Sequence, residues 1–163
     1  GVADLQISTR TPTVTTLSLD WIAAVQRDRS FAKVQWDERL PVTVTTLDQL
    51  IARYGQPAFC KIDVEGYELT VLQGLSHAIP ALSVEYLPAC LDSARACVAY
   101  LAQLGPYRFN WSVGESHRLG SQHWLDAPAL LAQLDRLAAL GNSGDIYACL
   151  PGHALDVVDG DEP

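Results

Sequence analysis

Residues 59–68 read FCKIDVEGYE and hold the densest set of reactive side chains in the chain. Asp63, Glu65 and Glu68 fall within six positions, Gly66 lies among them, and Lys61 precedes them inside an apolar run. Carboxylates this close repel one another. Such a group raises the pKa of one member, so that it exchanges a proton near neutrality, or it holds a cation or a polar ligand. A further acid, Glu85, stands near the end of the next apolar run, ALSVEYLP.

Side chains two apart in a strand share a face. Phe59, Lys61 and Asp63 therefore point one way, and Cys60, Ile62 and Val64 the other. A lysine within a central strand is costly unless it is paired or reaches solvent. Asp63, roughly 6.6 Å further along the same face, is its natural partner. One reading is purely structural: an ion pair, plus acids that face the dipole of a helix starting near Gly66. The functional reading rests on position. Ligands of open parallel sheets bind beyond the carboxyl ends of the strands. Asp63, Glu65 and Glu85 converge on one such rim if their strands are neighbours, as consecutive parallel strands usually are. Gly66 then allows the tight turn this needs.

The rest of the chain supplies elements to position that rim. VADLQIS (2–8) alternates like a half-exposed strand. Ser18 is placed to cap a helix over 19–28. VTVTT (42–46) is a β-branched strand, and Thr46 with Gln49 forms a capping box for a helix that stops at Gly55. AFCKIDV (58–64) is the next strand, followed by a helix from Gly66 to Leu75 and a strand over 81–87. Leu91, Ala94, Cys97, Val98, Leu101 and Leu104 mark an amphipathic helix ended by Gly105-Pro106. YRFNWSV (107–113), a helix over 128–140 and DIYACL (145–150) complete the series. Strand–helix–strand alternation predicts an open, twisted α/β sheet with parallel pairing, and an antiparallel edge among the late strands. Residues 1–155 read as one domain, and 156–163 as an acidic tail.

The formal net charge is −8, with a pI near 4.8. No basic stripe is available to displace counterions, which argues against nucleic acid and against an anionic membrane surface as partners. No apolar run approaches the ~20 residues that span a bilayer. Cys60, Cys90, Cys97 and Cys149 lack CxxC spacing and read as reduced thiols, which fits a cytoplasmic location. There is no methionine, so the chain reads as a piece of a longer protein.

The run VTVTTLDQLIARYGQPAFCKIDVEGYELTVLQGL (42–75) resembles the FkbM-type S-adenosylmethionine-dependent methyltransferases. The shared motifs are Thr46-Leu47-Asp48, Lys61 to Glu68, and Val71 to Leu75, at fixed spacing. SVEYLP, YRFN, GES and GDIYA look like the rest of that family's C-terminal half. The resemblance implies a Rossmann-like methyltransferase sheet, of which this chain supplies the C-terminal part without the first strands. It implies methyl transfer to a hydroxyl of a small molecule or sugar. Asp63 then lies near the transferred methyl, and Asp63 and Glu65 are the candidate catalytic pair. Glu68, Glu85 and Tyr67 are candidate acceptor-binding residues. No GxGxG turn occurs, so no residue here is assigned to the cofactor. A divalent cation held by the acids is an alternative way to activate the hydroxyl, and oxygen ligands would suit Mg²⁺ or Ca²⁺. His117 and His123 are alternative bases, and Tyr86, Trp111 and Trp124 join Tyr67 as aromatics able to line a pocket.

Two rival readings come from other classes. A DxD-type phosphoryl-transfer site is superficially similar to DVEGYELT, but its second acid would be Glu65, and no later lysine with paired acids follows. A non-catalytic assembly fragment is the other. A sheet cut before its central strand exposes an edge that invites a second copy, which allows a homo-oligomer.

Overall fold

The computed structural model of the chain describes residues 1–116 and 118–153. The acidic tail expected over 156–163 and the candidate base His117 lie outside these residues. Six strands and five α-helices alternate along the described residues. They are β1 (Val2–Ile7), α1 (Leu19–Val25), β2 (Glu38–Thr43), α2 (Leu47–Tyr54), β3 (Cys60–Ile62) and α3 (Glu68–Gln73). Then come β4 (Ala81–Tyr86), α4 (Leu91–Leu104), β5 (Arg108–Trp111), α5 (Ala127–Ala139) and β6 (Gly144–Cys149).

The helix starts follow from local chemistry. The Ser18 hydroxyl accepts the Trp21 N–H at the start of α1, and Thr46 accepts that of Gln49 at the start of α2. The capping box at Thr46 is half formed. The Gln49 side chain accepts from the hydroxyl of Thr45 instead of reaching back to the cap. Asp126 caps α5 through the Ala129 N–H. Gly55 ends α2, and Gly105 ends α4.

The sheet differs from a parallel one. Strand order in the main sheet is β3-β4-β6-β5, and only β3 and β4 are parallel. β6 enters between β4 and β5 and runs antiparallel to both. Antiparallel pairing thus extends beyond the edge into the middle of the sheet. β2 does not join this sheet. It pairs antiparallel with β1, from Val2 against Thr43 to Ile7 against Glu38. Pro41 lies inside β2 and has no N–H to donate, which suits a two-stranded ribbon better than a sheet interior.

Alternation along the strands divides the main sheet into two faces. Ile62, Leu82, Val84, Tyr86, Phe109, Ile146 and Ala148 point into the core, where they meet Leu72 of α3, Leu101 of α4 and Leu134 of α5. Burial of this apolar surface is the main stabilising term, at roughly 1.5–3 kcal/mol for each large side chain. The Tyr107 hydroxyl closes one end of the core, donating to the Ile79 carbonyl at 2.8 Å and accepting its N–H at 2.9 Å. The opposite face carries Lys61, Ser83, Glu85, Asp145 and Tyr147. The four cysteines are free thiols.

Candidate functional site: an acidic rim at the ends of two parallel strands

β3 and β4 pair with Lys61 opposite Ser83 and Ile62 opposite Val84. Continuing that register sets Asp63 against Glu85. Glu85 is in turn opposite Asp145 of β6. Three acids from three adjacent strand positions thus share one level and one face of the sheet. The Lys61 ammonium bonds Asp145 at 2.9 Å and Asp63 at 3.3 Å. The pairing with Asp63 follows from strand alternation. The shorter bond, to Asp145, does not, because it depends on β6 crossing to the centre of the sheet. Burial works against the lysine's charge, but its two carboxylate partners outweigh that and hold the ammonium above its ordinary range.

A tight turn after β3 adds a fourth carboxylate, that of Glu65, to the rim. Glu65 has φ +52°, the only positive value at a non-glycine position among the described residues, and Gly66 follows at +86°. A Cβ on Gly66 would run into the indole of Trp21, so this position requires glycine for space as well as for conformation. The turn brings Asp63, Glu65 and Glu85 together, with one carboxylate oxygen from each within 4.8 Å of the others. That spacing would fit the oxygen shell of a hard cation. No second feature among the described residues points to an ion.

Electrostatics make this cluster reactive near neutrality. Burial, and then the charges of Glu65, Asp63, Glu68 and Asp145, push Glu85 up to about 8. Burial, with Asp63 and Glu68, pushes Glu65 up to about 7. A carboxyl that titrates there can accept or return a proton under ordinary conditions. The same shifts carry a stability consequence. Both acids bind protons more tightly in the folded chain than their ordinary value of 4.5 allows in the unfolded one. The folded state therefore holds more protons between those values, and stability falls as pH rises through the window. Thermal melts should show a Tm that declines from about pH 5 to about pH 9, with a clearly shallower decline in Glu85→Gln. A Tm that rises across this window would overturn the assignment.

The other expected site residues are distributed differently. Glu68 is buried, at 4% exposure. Its carboxylate accepts the N–H groups of Val64 at 3.2 Å and Gly66 at 3.0 Å, so it grips the turn from inside. Burial raises its pKa, and these backbone bonds oppose that rise. Tyr67 lines a cavity of about 610 Å³ together with Asp63, Thr70, Val71, Leu47 and Leu5. Asp63 borders both this cavity and the rim. Tyr86 and Trp111 belong to the core. Trp124 is half-buried, and His123 is exposed. Sequence reasoning missed Asp145. Its signal was present in the alternation of GDIYAC, which puts Asp145 and Tyr147 on one face, but strand order was needed to bring that face to Lys61.

An α/β chain with a mixed four-stranded sheet, and an acidic rim at the carboxyl ends of adjacent parallel strands, defines the class. The sequence profile of the methyltransferase FkbM domain matches residues 7–93. This match runs from the last residue of β1 to the first residues of α4 and contains the whole rim except Asp145. The chain belongs to the FkbM methyltransferase domain family. No curated protein and no solved structure matches it. No described helix is long and apolar enough to cross a membrane.

Proposed function

We propose that this chain forms the acceptor side of an S-adenosylmethionine-dependent O-methyltransferase with a Rossmann-like sheet, acting on a hydroxyl of a small molecule or sugar. The observation that carries this reading is the meeting of Asp63, Glu65 and Glu85 inside the FkbM-matched segment, two of them held near neutral pKa. The residues of this chain do not fit the cofactor by themselves. The positive-φ glycines are scattered, at 55, 66, 114, 141 and 152 outside the strands and at 144 in β6, and no glycine-rich cradle for a nucleoside is formed among the described residues. No cofactor contact is assigned.

Methyl transfer to a hydroxyl requires that the oxygen be oriented and its proton removed. Asp63 and Glu65 supply the acceptor for that proton. Glu85 shares the cluster's charge, so that a proton arriving on one carboxylate relieves repulsion across all three. Lys61 anchors Asp63 from the side away from the turn. The test is transfer of label from methyl-labelled S-adenosylmethionine to a panel of hydroxylated small molecules and sugars, by the full-length protein. Labelled methyl ether is the expected product, and its absence across the panel would count against the reading.

A non-catalytic assembly role is the second reading, favoured by one observation. Among the described residues β3 is hydrogen-bonded to a strand on one edge only, and Phe59 beside it is 38% exposed. Under that reading the chain associates through this edge, and sedimentation should show a concentration-dependent dimer that a proline at Cys60 abolishes.

A further inference from the structure

The turn that carries Glu65 is held from a distant part of the chain. Thr16 lies 49 residues earlier and is 1% exposed. Its hydroxyl donates to the Glu65 carbonyl at 2.7 Å and accepts the Ser18 N–H at 2.8 Å. Its backbone is fixed as well. Thr16 and Gln6 exchange both N–H···O bonds, at 2.8 and 3.0 Å, which ties it to β1. Beside it, Trp21 packs edge-on against Phe31 and Trp36, with ring centroids 5.6 and 6.0 Å apart. The Trp36 indole N–H bonds the Val14 carbonyl at 2.9 Å. This aromatic cluster presses Trp21 onto Gly66. On the inner side, Glu68 accepts the N–H groups of Val64 and Gly66.

Nothing local favours the left-handed conformation of Glu65. A non-glycine residue there is disfavoured by about 1–2 kcal/mol, and such strain persists only where the surroundings over-determine it. Here the carbonyl is held by Thr16, the following residue by Trp21, and the flanking N–H groups by Glu68. Release of the carbonyl would let Glu65 relax to negative φ and swing its side chain off the rim.

We propose that Thr16 is a positioning residue, whose hydroxyl locks the Asp63–Gly66 turn in the one conformation that carries the Glu65 carboxylate to Asp63 and Glu85. Residues of the N-terminal segment thereby set the geometry of the acidic rim without touching a substrate. The functional part of this inference rests on the methyltransferase reading; the structural part does not. Asp63, Glu68, Glu85 and, through Asp63, Lys61 are the charged groups that Glu65 faces or loses when the turn opens.

The test compares Thr16→Val, which keeps shape and removes the hydroxyl, with Thr16→Ser, which keeps the hydroxyl. The first readout is the Glu65 backbone φ from scalar couplings by NMR. Wild type and Thr16→Ser should retain the left-handed value, and Thr16→Val should lose it. The second readout is methyl transfer by the full-length protein. Thr16→Val should lower kcat by about 10²-fold with little change in KM, as expected for a misplaced group, and Thr16→Ser should restore it. Should Thr16→Val not fold, wild type alone decides through the Thr16 hydroxyl proton, which should exchange slowly and show a nuclear Overhauser contact to Gly66. A left-handed Glu65 in folded Thr16→Val, a Thr16→Ser that behaves like Thr16→Val, or a fast-exchanging Thr16 hydroxyl would each overturn the proposal. If the couplings change as expected and wild type transfers no methyl group, the lock stands and the methyltransferase reading falls.

Discussion

Asp63→Asn is expected to lower methyl transfer by about 10²- to 10⁴-fold, the range associated with loss of a positioned proton acceptor. Asparagine keeps the size and the hydrogen-bonding oxygen but cannot take a proton. The fold should tolerate the change. Lys61 keeps its shorter bond, to Asp145 at 2.9 Å, when the 3.3 Å partner is neutralised. Both Lys61 and Asp63 are substantially exposed, so the lost pair is worth roughly 0–1 kcal/mol. Single-turnover rates of the full-length protein would read the first effect and thermal melts the second. A consequence independent of activity accompanies them. Asp63 helps to raise both Glu65 and Glu85, so Asp63→Asn should lower the titration midpoints of both, read from their side-chain carboxyl resonances. A rate within about threefold of wild type would remove Asp63 from the chemistry, since even a weak general base contributes about 10²-fold.

The separate roles of the acids show which parts of this site a sequence can reveal. Lys61 and Asp63 are two apart in a strand, and a period of two is enough to pair them. Asp63 and Glu85 required one further step, that consecutive strands are neighbours and parallel, and β3 and β4 obey it. Asp145 required knowledge that β6 inserts between β4 and β5, and antiparallel insertion leaves no local mark in the sequence. Glu68 occupies the first turn of α3, where helical spacing does not distinguish a carboxylate facing solvent from one folded back onto the preceding turn. The hydroxyl of Thr16 reaches a carbonyl 49 residues away, beyond the range of any capping or periodicity rule. The helices were legible for the opposite reason. Thr46 and Ser18, read as caps in the sequence, cap within three residues of themselves. β2 was only partly legible: of the β-branched run 42–46 read as a strand, only Val42 and Thr43 fall within it, and its partner β1 lies 31 to 41 positions earlier in the chain.

Replacing Gly144 by alanine is expected to destabilise the protein by about 3 kcal/mol, at the upper end of what overpacking costs. For a chain of this size that is a Tm loss of roughly 6–12 °C. Gly144 opens β6 opposite Tyr86. An added Cβ would overlap the Ser112 carbonyl oxygen and would stand 2.9 Å from the Ser112 carbonyl carbon and 3.1 Å from the Gly114 nitrogen. All three are backbone atoms, so no side-chain rotation relieves the clash. They are also fixed by hydrogen bonds on either side of the intruder. The Ser112 N–H donates to the Asp145 carbonyl at 2.9 Å, and the Gly114 N–H donates to that of Ser143 at 2.8 Å. Making room means separating these segments and losing one or both bonds, each worth about 0.5–1.5 kcal/mol. The displacement would begin next to Asp145, which anchors Lys61. The Lys61 ammonium resonance should therefore shift even in the folded fraction. Leu140→Ser, at a side chain 75% exposed, is the control and should change stability by no more than about 0.5 kcal/mol. A Gly144→Ala protein that melts with the wild type would mean that β6 can slide outward at its first residue, and that the backbone contact with Ser112 does not fix the position of Asp145.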